Sequence, residues 1–346
     1  MREQGTRRVA APPLKFQREP RAATGIRPLV SVLLVNFNGG ALLCESVRSV
    51  LASSIPVEVL ISDNGSTDGS LQLLYHLFGR DPRVRVIENG VNHGFARANN
   101  ISLPHAVGNY VLFLNSDCII QPDTLQRMYQ TMEAYPDVGM AGCLIRNPDG
   151  SEQAGCRRAV PTPWRASMRV LHLNRLFPND PHFHSFVLTH ESLPVHPVSI
   201  EAISGAFMFV RRAALEQVGP LDEGYFLHCE DLDWCMRFRE TGWKIMFVPG
   251  VDVIHFKGQS SKTRPIRVLW YKHKGMIRFY RKFFRRQYGW MMMVLVTTAV
   301  WTRFSILALV ELFSRLRGRK PSPTMPASAV VEPIQVARSN DRPFDA

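Results

Sequence analysis

Short apolar runs alternate with stretches of helical periodicity over the first 135 residues of the chain. Four of the runs predict buried strands, at residues 30–36, 57–63, 84–87 and 110–115. The intervening stretches predict helices at residues 41–52, near 70–78, from Phe95 onward and near 122–135. Strands of nearly continuous apolar residues, each followed by a helix, are typical of a parallel sheet with helices on both faces. We therefore expect an α/β fold with ligands at the carboxyl ends of the strands.

The two ends of the chain differ from this alternating region. Residues 1–28 and 319–346 lack periodicity and are rich in Arg or Pro, so they predict a flexible N-terminal tail and a disordered C-terminal tail. Residues 29–262 form the predicted main domain. Residues 263–318 form a predicted helical extension that is first basic and aromatic and then apolar.

The net charge of +13 is unevenly distributed along the chain. Residues 1–28 carry +5, residues 29–263 carry −4 and residues 264–320 carry +13. Because the central region is slightly acidic, a basic nucleic-acid groove within it is not indicated, and we expect no nucleic-acid partner. Stacking of the aromatic residues in the basic segment on bases is kept as an alternative.

The cysteines and the N-terminus bear on the cellular compartment. The six cysteines form no CxxC pair, and four of them lie in or beside apolar segments, which indicates a reducing compartment. A zinc site is the functional alternative. The N-terminus is basic but lacks the apolar run of a signal peptide, so we expect the domain on the cytoplasmic side.

Polar residues follow the first two predicted strands. The first strand ends in Asn36-Phe-Asn38-Gly-Gly and the second in Asp63-Asn64-Gly-Ser-Thr-Asp. Neither stretch has the GxGxxG or GxxxxGK[ST] pattern, so the usual dinucleotide and P-loop sites are not indicated. Asp63 could accept hydrogen bonds from a ring N–H and a ribose hydroxyl, but Asp-Asn-Gly-Ser is also good turn and N-cap chemistry.

The third and fourth strands are also followed by candidate ligand-binding residues. Gly94, directly before a predicted helix, would let backbone N–H groups approach a phosphate. The fourth strand ends in Asn115-Ser-Asp117, and a carboxylate at the tip of a buried strand is costly unless it binds something. Mg²⁺ or Mn²⁺ bridging a diphosphate is the natural partner of Asp117, and capping of a helix is the alternative.

Together, these four stretches resemble the nucleotide-sugar half of family 2 glycosyltransferases of the GT-A type, and most of all the branch of bacterial rhamnosyltransferases and galactofuranosyltransferases. The metal-binding Asp-x-Asp motif of the family occurs in that branch as Asn-x-Asp, which matches Asn115-Ser-Asp117. The resemblance implies a GT-A fold with a Rossmann-like, mostly parallel sheet, a nucleotide-diphosphate sugar donor and a Mg²⁺ or Mn²⁺ cofactor. The donor-binding residues that it implies are Asn36, Asn38, Asp63, Asn64, Gly94, Phe95, Asn99, Asn115 and Asp117.

The second half of the domain, up to about residue 262, carries the same resemblance. Glu230-Asp231-Leu-Asp233-Trp234 opens a predicted helix, and three acids there also suit the helix dipole, so capping is one interpretation. Similar family members use the second acid of a Glu-Asp-x-Asp stretch as catalytic base, which implies Asp231. The resemblance also implies acceptor-side roles for Ser204, Gly205, Glu230, Asp233 and Trp234.

Two further expectations concern histidines. His255 matches a family histidine that completes the metal site with Asp117, although a lone His at a strand end is more often an ordinary core or surface residue. The stretch 157–199 matches little, and its scattered histidines predict an acceptor-side insertion rather than a metal site. They are His172, His182, His184, His190 and His196.

The basic and apolar extension at residues 264–318 is predicted to dock on a membrane. Arg303 divides its apolar run into 13 and 7 residues, and an Arg at the centre of a span costs about 2.5–3.5 kcal/mol on insertion scales. An interfacial helical hairpin is therefore the first interpretation, and a single tilted span the second. Flanking Lys and Arg favour the anionic cytoplasmic leaflet of the inner membrane.

These patterns combine into one functional hypothesis. We expect an inverting, metal-dependent glycosyltransferase that moves a sugar from a nucleotide-diphosphate donor to a glycan or polyprenyl-linked glycan. By the resemblance, the donor is dTDP-rhamnose or a UDP-sugar, and the product contributes to cell-surface polysaccharide. A non-catalytic membrane-associated scaffold that retains the fold is the alternative.

Overall fold

The computed structural model describes residues 27–170, 186–256 and 265–316. Apart from residues 27 and 28, both predicted tails lie outside these ranges, as do His172, His182 and His184. The strands are β1 (Val30–Asn36), β2 (Val57–Asp63), β3 (Val84–Glu88), β4 (Tyr110–Asn115), β5 (Cys118–Ile120), β6 (Val138–Arg146), β7 (Arg157–Arg158), β8 (Val198–Ser199), β9 (Ala202–Ile203), β10 (Phe207–Arg211) and β11 (Lys244–His255).

Beside two short 3-10 helices, nine α-helices occur in the described part of the chain. They are α1 (Gly40–Leu51), α2 (Ser70–Phe78), α3 (Phe95–Ser102), α4 (Thr124–Ala134), α5 (Pro163–Val170), α6 (Arg212–Val218), α7 (Glu230–Glu240), α8 (Pro265–Phe283) and α9 (Arg285–Leu316). The four predicted strands and four predicted helices of the first half are confirmed, with shifts of one or two residues at their ends. The largest shift is at α4, which starts after Pro122 and Asp123 instead of including them.

The main sheet has the strand order β3-β2-β1-β4-β10-β6-β11-β5, with β8 paired to β11. Strands β3, β2, β1 and β4 are mutually parallel, and β11 is parallel to β6. The expected mostly parallel α/β sheet is therefore confirmed. Three strands run the opposite way: β10 lies antiparallel between β4 and β6, and β5 and β8 pair antiparallel with β11. Because β10 runs the opposite way, its N-terminal end joins the carboxyl end of β4, where the ligand was expected.

Both faces of the sheet are covered by apolar packing. One core contains Leu34, Val47 and Phe209, and the other contains Leu33, Phe113 and Trp234. The side chains of each strand alternate between the two cores, as in a sheet that is buried on both faces. The second core also includes Ile277 and Phe279 of α8, so α8 packs as part of the main domain.

Helices α8 and α9 fold back on each other as a helical hairpin. Trp270 packs against Trp301 with ring centroids 4.7 Å apart, and Arg303 Nη1 lies 3.2 Å from His273 Nε2. Helix α9 is broken at Gly289, whose φ of 69° lies in the left-handed region that glycine adopts readily. By length and composition, residues Arg285–Arg315 could cross a membrane.

Candidate active site

The predicted donor residues meet at the carboxyl ends of β1 and β2. Asn36 Nδ2 donates to Asp63 Oδ1 at 2.8 Å and also lies 3.0 Å from the hydroxyl oxygens of Ser66 and Ser70. Asn38 adopts a left-handed backbone (φ 54°), and its side-chain oxygen accepts a hydrogen bond from Thr67 N at 2.8 Å. Asn36 and Asn38 therefore tie the loop after β1 to the loop after β2.

Asp63 organises the turn that follows β2. Its Oδ2 accepts hydrogen bonds from the backbone amides of Gly65 and Ser66, both at 3.0 Å, while Oδ1 accepts from Ser66 Oγ at 2.7 Å and from Asn36. The residue is 2% exposed. All four acceptor positions of the carboxylate are used, which matches the turn interpretation. A nucleotide base would have to replace one of these bonds, so base binding by Asp63 stays a prediction.

The polar groups of the segment after β3 also form hydrogen bonds within the protein. Phe95 N, the first amide of α3, donates to Phe226 O at 2.8 Å, and a Cβ at Gly94 would lie 2.2 Å from that oxygen. Gly94 therefore allows a backbone carbonyl, rather than a phosphate, to approach the start of the helix. Asn64 Nδ2 donates to Gly94 O at 3.1 Å, and the buried Asn99 donates to Phe95 O. Direct donor contacts by these residues stay predictions.

A candidate metal centre lies where β4, β5 and β11 meet. His255 Nε2 is 3.1 Å from Asp117 Oδ1 and 3.2 Å from Asn115 Nδ2. His255 is 6% exposed, and its position at the end of β11 is fixed by antiparallel pairing with Cys118. The sequence prediction that Asn115, Asp117 and His255 come together is thus matched by their positions, although they lie up to 140 residues apart.

Gln153 is a residue of this centre that the sequence analysis missed. His255 Nδ1 lies 2.7 Å from Gln153 Oε1, and Gln153 Nε2 donates to Asn147 Oδ1 at 2.9 Å. Because Oε1 can only accept, we assign the ring proton to Nδ1, which leaves the Nε2 lone pair directed at the Asp117 region. Such an outer partner is how proteins orient metal-binding histidines. No local motif around Gln153 indicates this contact.

Asp117 and His255 fit a divalent cation. A carboxylate oxygen and a ring nitrogen without a proton are both acceptors, and their separation of 3.1 Å is unfavourable without a shared positive charge. Cys118 completes a group of three side chains whose ligand atoms lie within 4.8 Å. Its thiol donates to Ala206 O at 3.6 Å, and burial raises its pKa, so the thiol is already engaged by a backbone carbonyl. The pair therefore suits a hard cation better than the zinc considered above.

The predicted base adjoins this centre through a short backbone segment. Asp231 Oδ2 accepts a hydrogen bond from Gly205 N at 3.1 Å, and the next residue, Ala206, accepts one from Asn115 N at 3.0 Å. A Cβ at Gly205 would lie 3.2 Å from that of Asp231. The Gly205–Ala206 segment thus separates the base from the metal side chains. Ser204 precedes it and caps the turn, since its Oγ accepts from Ala206 N at 3.3 Å.

Arg158 is the second residue that the sequence analysis missed. Its Nη2 donates to Asp231 Oδ2 and to Ile203 O, and the guanidinium is largely buried. Burial alone would raise the pKa of Asp231, but the charge and hydrogen bond of Arg158 lower it below its usual range. Burial and the neighbouring Asp231 raise the pKa of Glu230, whose buried Oε2 has no hydrogen-bond partner among the described residues.

The backbone before α7 is strained. His228 and Cys229 both adopt left-handed conformations, with φ of 68° and 71°, which is unusual for non-glycine residues. A Cβ at Gly275 of α8 would lie 2.9 Å from His228 O, so α8 approaches this turn closely. Phe226 stacks on Tyr271 of α8 with centroids 4.2 Å apart. The helix that carries Asp231 is therefore held in place by α8.

Two of the predicted acceptor-side residues are structural. Trp234 is fully buried, donates from Nε1 to Gly219 O at 2.9 Å and packs against Phe113. Asp233 is also fully buried, and its carboxylate accepts from Arg237 Nε at 2.8 Å and Lys282 Nζ at 2.6 Å. Neither side chain is accessible in this structure, so both support the fold around the base, and an acceptor-side role for Trp234 or Asp233 stays a prediction. Ser204, Gly205 and Glu230 remain candidates.

Solved structures with the same fold include two sugar transferases. The chain matches "Crystal structure of GalNAc-T7 with UDP, GalNAc and Mn2+" with a TM-score of 0.53 and 18% identity, over 74% of this chain and 48% of that one. It matches the mannosyltransferase PcManGT from Pyrobaculum calidifontis, solved with GDP-Man and Mn²⁺, with a TM-score of 0.52 and 19% identity, over 88% and 79%. The GT-A fold expected from the sequence is thereby confirmed.

Curated relatives identify the family. The chain is 31% identical over 274 residues to N-acetylglucosaminyl-diphospho-decaprenol L-rhamnosyltransferase of Mycobacterium tuberculosis, covering 76% of this chain and 86% of the relative. It is 25% identical over 244 residues to rhamnosyltransferase WbbL of Escherichia coli K12, covering 68% and 86%. The sequence model described as "Glycosyl transferase family 2" matches residues 31–219. With the fold and these relatives in agreement, the chain belongs to glycosyltransferase family 2, in the rhamnosyltransferase branch.

Proposed function

We propose that this enzyme transfers rhamnose from dTDP-rhamnose, with inversion, to a polyprenyl-diphosphate-linked glycan. The observation that carries the proposal is the continuous set of contacts from Asp117 and His255, through Asn115 and the Gly205–Ala206 segment, to Asp231. In a displacement reaction, a cation neutralises the leaving group on one side of the reacting carbon and a base takes the proton of the nucleophile on the other side. A metal-binding pair and a carboxylate base on either side of one backbone segment suit these two tasks. The names of the mycobacterial and E. coli relatives support the rhamnosyl donor and the lipid-linked acceptor.

Asp231 would act through its Oδ1 atom. Oδ2 already accepts hydrogen bonds from Arg158 and Gly205, whereas Oδ1 accepts one bond within the described part of the chain, from Leu232 N at 2.8 Å. Oδ1 therefore retains capacity to take the proton of an acceptor hydroxyl. As that proton leaves, the acceptor oxygen forms a bond to the anomeric carbon, and the bond from this carbon to the diphosphate breaks with the electron pair on the diphosphate. Attack opposite to the leaving group inverts the configuration.

Asp117 and His255 would hold Mg²⁺ or Mn²⁺, with Gln153 orienting the histidine. When bound, such a cation supplies positive charge that neutralises the departing diphosphate. Asn115 lies beside the pair and would contact the donor. The remaining donor residues are proposed to shape the edge of the sheet, since Asn36, Asp63 and Asn64 form a buried hydrogen-bonded frame there.

The hairpin of α8 and α9 is proposed to dock on the cytoplasmic face of the inner membrane. Helix α9 exposes a large apolar surface that includes Trp290, Met291, Leu295, Ile306, Val310 and Phe313. Apolar surface of this extent marks an interaction site, and the flanking basic residues suit an anionic leaflet. A high-salt wash of membranes distinguishes two arrangements: an interfacial hairpin should partly elute, and a true span should remain.

The test of the proposed function is a transfer assay with purified full-length protein. dTDP-rhamnose and a polyprenyl-diphosphate-linked N-acetylglucosamine should give product, EDTA should abolish it, and Mn²⁺ or Mg²⁺ should restore it. A thermal-shift panel of nucleotide sugars with Mn²⁺ should show its largest stabilisation with dTDP-rhamnose, because bound ligand stabilises by mass action. Stabilisation by a UDP-sugar instead would overturn the donor assignment, and absence of transfer with every donor would favour the scaffold alternative.

A further inference from the structure

A groove runs between the two helices of the C-terminal hairpin. One part of it, a cavity of about 670 Å³, is lined by Lys274, Arg278, Arg281 and Lys282 of α8 and by Trp301 of α9. A neighbouring cavity of about 400 Å³ is lined by Arg285, Trp290, Met293 and Val294, and it shares Arg281 with the first. The two cavities meet at Arg281 and form what we call the hairpin groove.

The cations of the hairpin groove are of two kinds. Arg278 and Lys282 are committed to the protein, because both contact Asp222 and Lys282 also contacts Asp233. Lys274, Arg281 and Arg285 make no ion pair within the described residues, and all three are exposed. Lys274 and Arg281 stand seven residues apart on α8, which is two helical turns, and so lie on one face of that helix, whereas Arg285 is the first residue of α9. The groove therefore presents uncompensated positive charge beside apolar walls.

We propose that the hairpin groove binds the diphosphate and the first isoprene units of a polyprenyl-linked acceptor, an inference that rests on the proposed function for the identity of its ligand. Several uncompensated cations, two of them on one face of α8, match the charge of a diphosphate better than that of a monoester headgroup. Trp290, Met293, Val294 and Trp301 give the adjoining hydrocarbon an apolar wall.

The location of the groove agrees with an acceptor site. Gly224 lines its polar end and belongs to the loop that leads into α7, the helix of Asp231. A Cβ at Gly224 would lie 2.2 Å from Arg278 Cζ, so the loop and the basic face of α8 are in direct contact. A lipid diphosphate held at this end would place its attached sugar on the side of the domain that carries the base.

The test is calorimetric titration of the detergent-solubilised full-length protein with farnesyl diphosphate in the presence of EDTA. EDTA keeps a diphosphate from binding through a metal ion at Asp117 and His255, so the titration is independent of the proposed metal centre. Farnesyl monophosphate and inorganic diphosphate are the comparison ligands, and we expect both to bind at least about tenfold more weakly, because each lacks one of the two matched features.

Two variants test whether the cations of the groove bind the lipid diphosphate. Lys274→Gln combined with Arg281→Gln should weaken farnesyl diphosphate binding by at least about tenfold, since each lost cation near an anionic group contributes several-fold. Arg286→Gln removes an exposed charge that lines neither cavity, and it should change binding by less than about twofold. In transfer assays, the double variant should raise the KM for the lipid acceptor and leave the KM for the donor unchanged.

Three outcomes would overturn the proposal. Equal losses in the double variant and in Arg286→Gln would show diffuse attraction of anionic lipid instead of a site. Equally tight binding of inorganic diphosphate would show a plain anion site, and undiminished binding in the double variant would place the lipid elsewhere. Failure of sugar transfer, with the titration results intact, would count against the proposed function and leave the lipid diphosphate site standing.

Discussion

Two regions of the proposed active site are held together in different ways: the donor edge, at the strand ends around Asn36 and Asp63, and the base side, around Asp231 and Asp233 of α7. At the donor edge, amide and hydroxyl side chains from neighbouring strand ends bond to one another, as Asn36 and Asp63 do across 27 residues of sequence. At the base side, ion pairs join residues from distant parts of the chain. Arg158 reaches Asp231 across 73 residues, and Lys282 reaches Asp233 across 49.

This difference shows which elements of the fold support each of the two regions. The donor edge is a rigid frame that the parallel sheet supplies almost by itself, because adjacent strands end side by side. The base side depends on α8, which contacts α7 and the loop before it through Lys282, Arg278 and Tyr271. The C-terminal hairpin is therefore part of the active-site support as well as a candidate membrane element.

The largest expected effect is at the base itself. Asp231→Asn should lower the transfer rate by at least about 10²-fold, the usual scale for loss of a general base. Donor binding should persist, because the donor edge does not depend on this carboxylate. Turnover should be measured beside the thermal shift produced by donor plus Mn²⁺. Near-normal turnover would remove Asp231 from the role and turn attention to Glu230.

The next largest effect compares the contributions of Asp117 and His255 to metal-dependent donor binding. Asp117→Ala should weaken Mn²⁺-dependent donor binding by at least about 10-fold to 100-fold, the range reached by outer partners of metal ligands. His255→Ala should cost less, because a neutral imidazole contributes no charge. Titration of donor with and without Mn²⁺ measures both variants. Equal, metal-independent affinity in the two would contradict the metal centre described here.

A substitution of Arg158 should change the pH dependence of the transfer rate. Arg158 lowers the pKa of Asp231, so Arg158→Met should raise that pKa and let the carboxylate bind a proton at higher pH. The acid limb of the rate profile should therefore move to higher pH. Arg158→Lys keeps a positive charge and should shift the limb less. A fall in rate that is the same at every pH, in both variants, would indicate a packing effect only.

The smallest expected effect tests the support from α8. Lys282→Met removes one of the two cations that pair with the buried Asp233, and Arg237 remains. Because Lys282 is one-third exposed, the expected loss of unfolding free energy is about 1–2 kcal/mol. Arg286→Met is the matched control and should leave the melting temperature unchanged. If both variants melt alike, α8 contributes packing and not charge to the base side.

The contrast between contacts of neighbouring strand ends and contacts of distant segments also explains which features the sequence could predict. Strands β1 to β4 and the residues at their ends follow from local apolar periodicity, and the family resemblance adds Asp117, His255 and Asp231. Gln153 and Arg158 could not be predicted, because the contact that brings each to the site is with a residue more than 70 positions away. The burial of Trp234 and Asp233 could not be predicted for a related reason, since a motif gives residue types but not which side of a helix faces the core.

The contact of Lys282 with both Asp222 and Asp233 has a consequence for protein engineering. A hybrid enzyme made by joining the catalytic half of one relative to the C-terminal hairpin of another would pair a foreign α8 with a loop shaped for the original. The close approach at Gly224 and Gly275 adds a steric demand to the electrostatic one. A graft that carries residues 219–233 together with α8 should keep these contacts matched, so the natural unit of exchange crosses the apparent domain boundary.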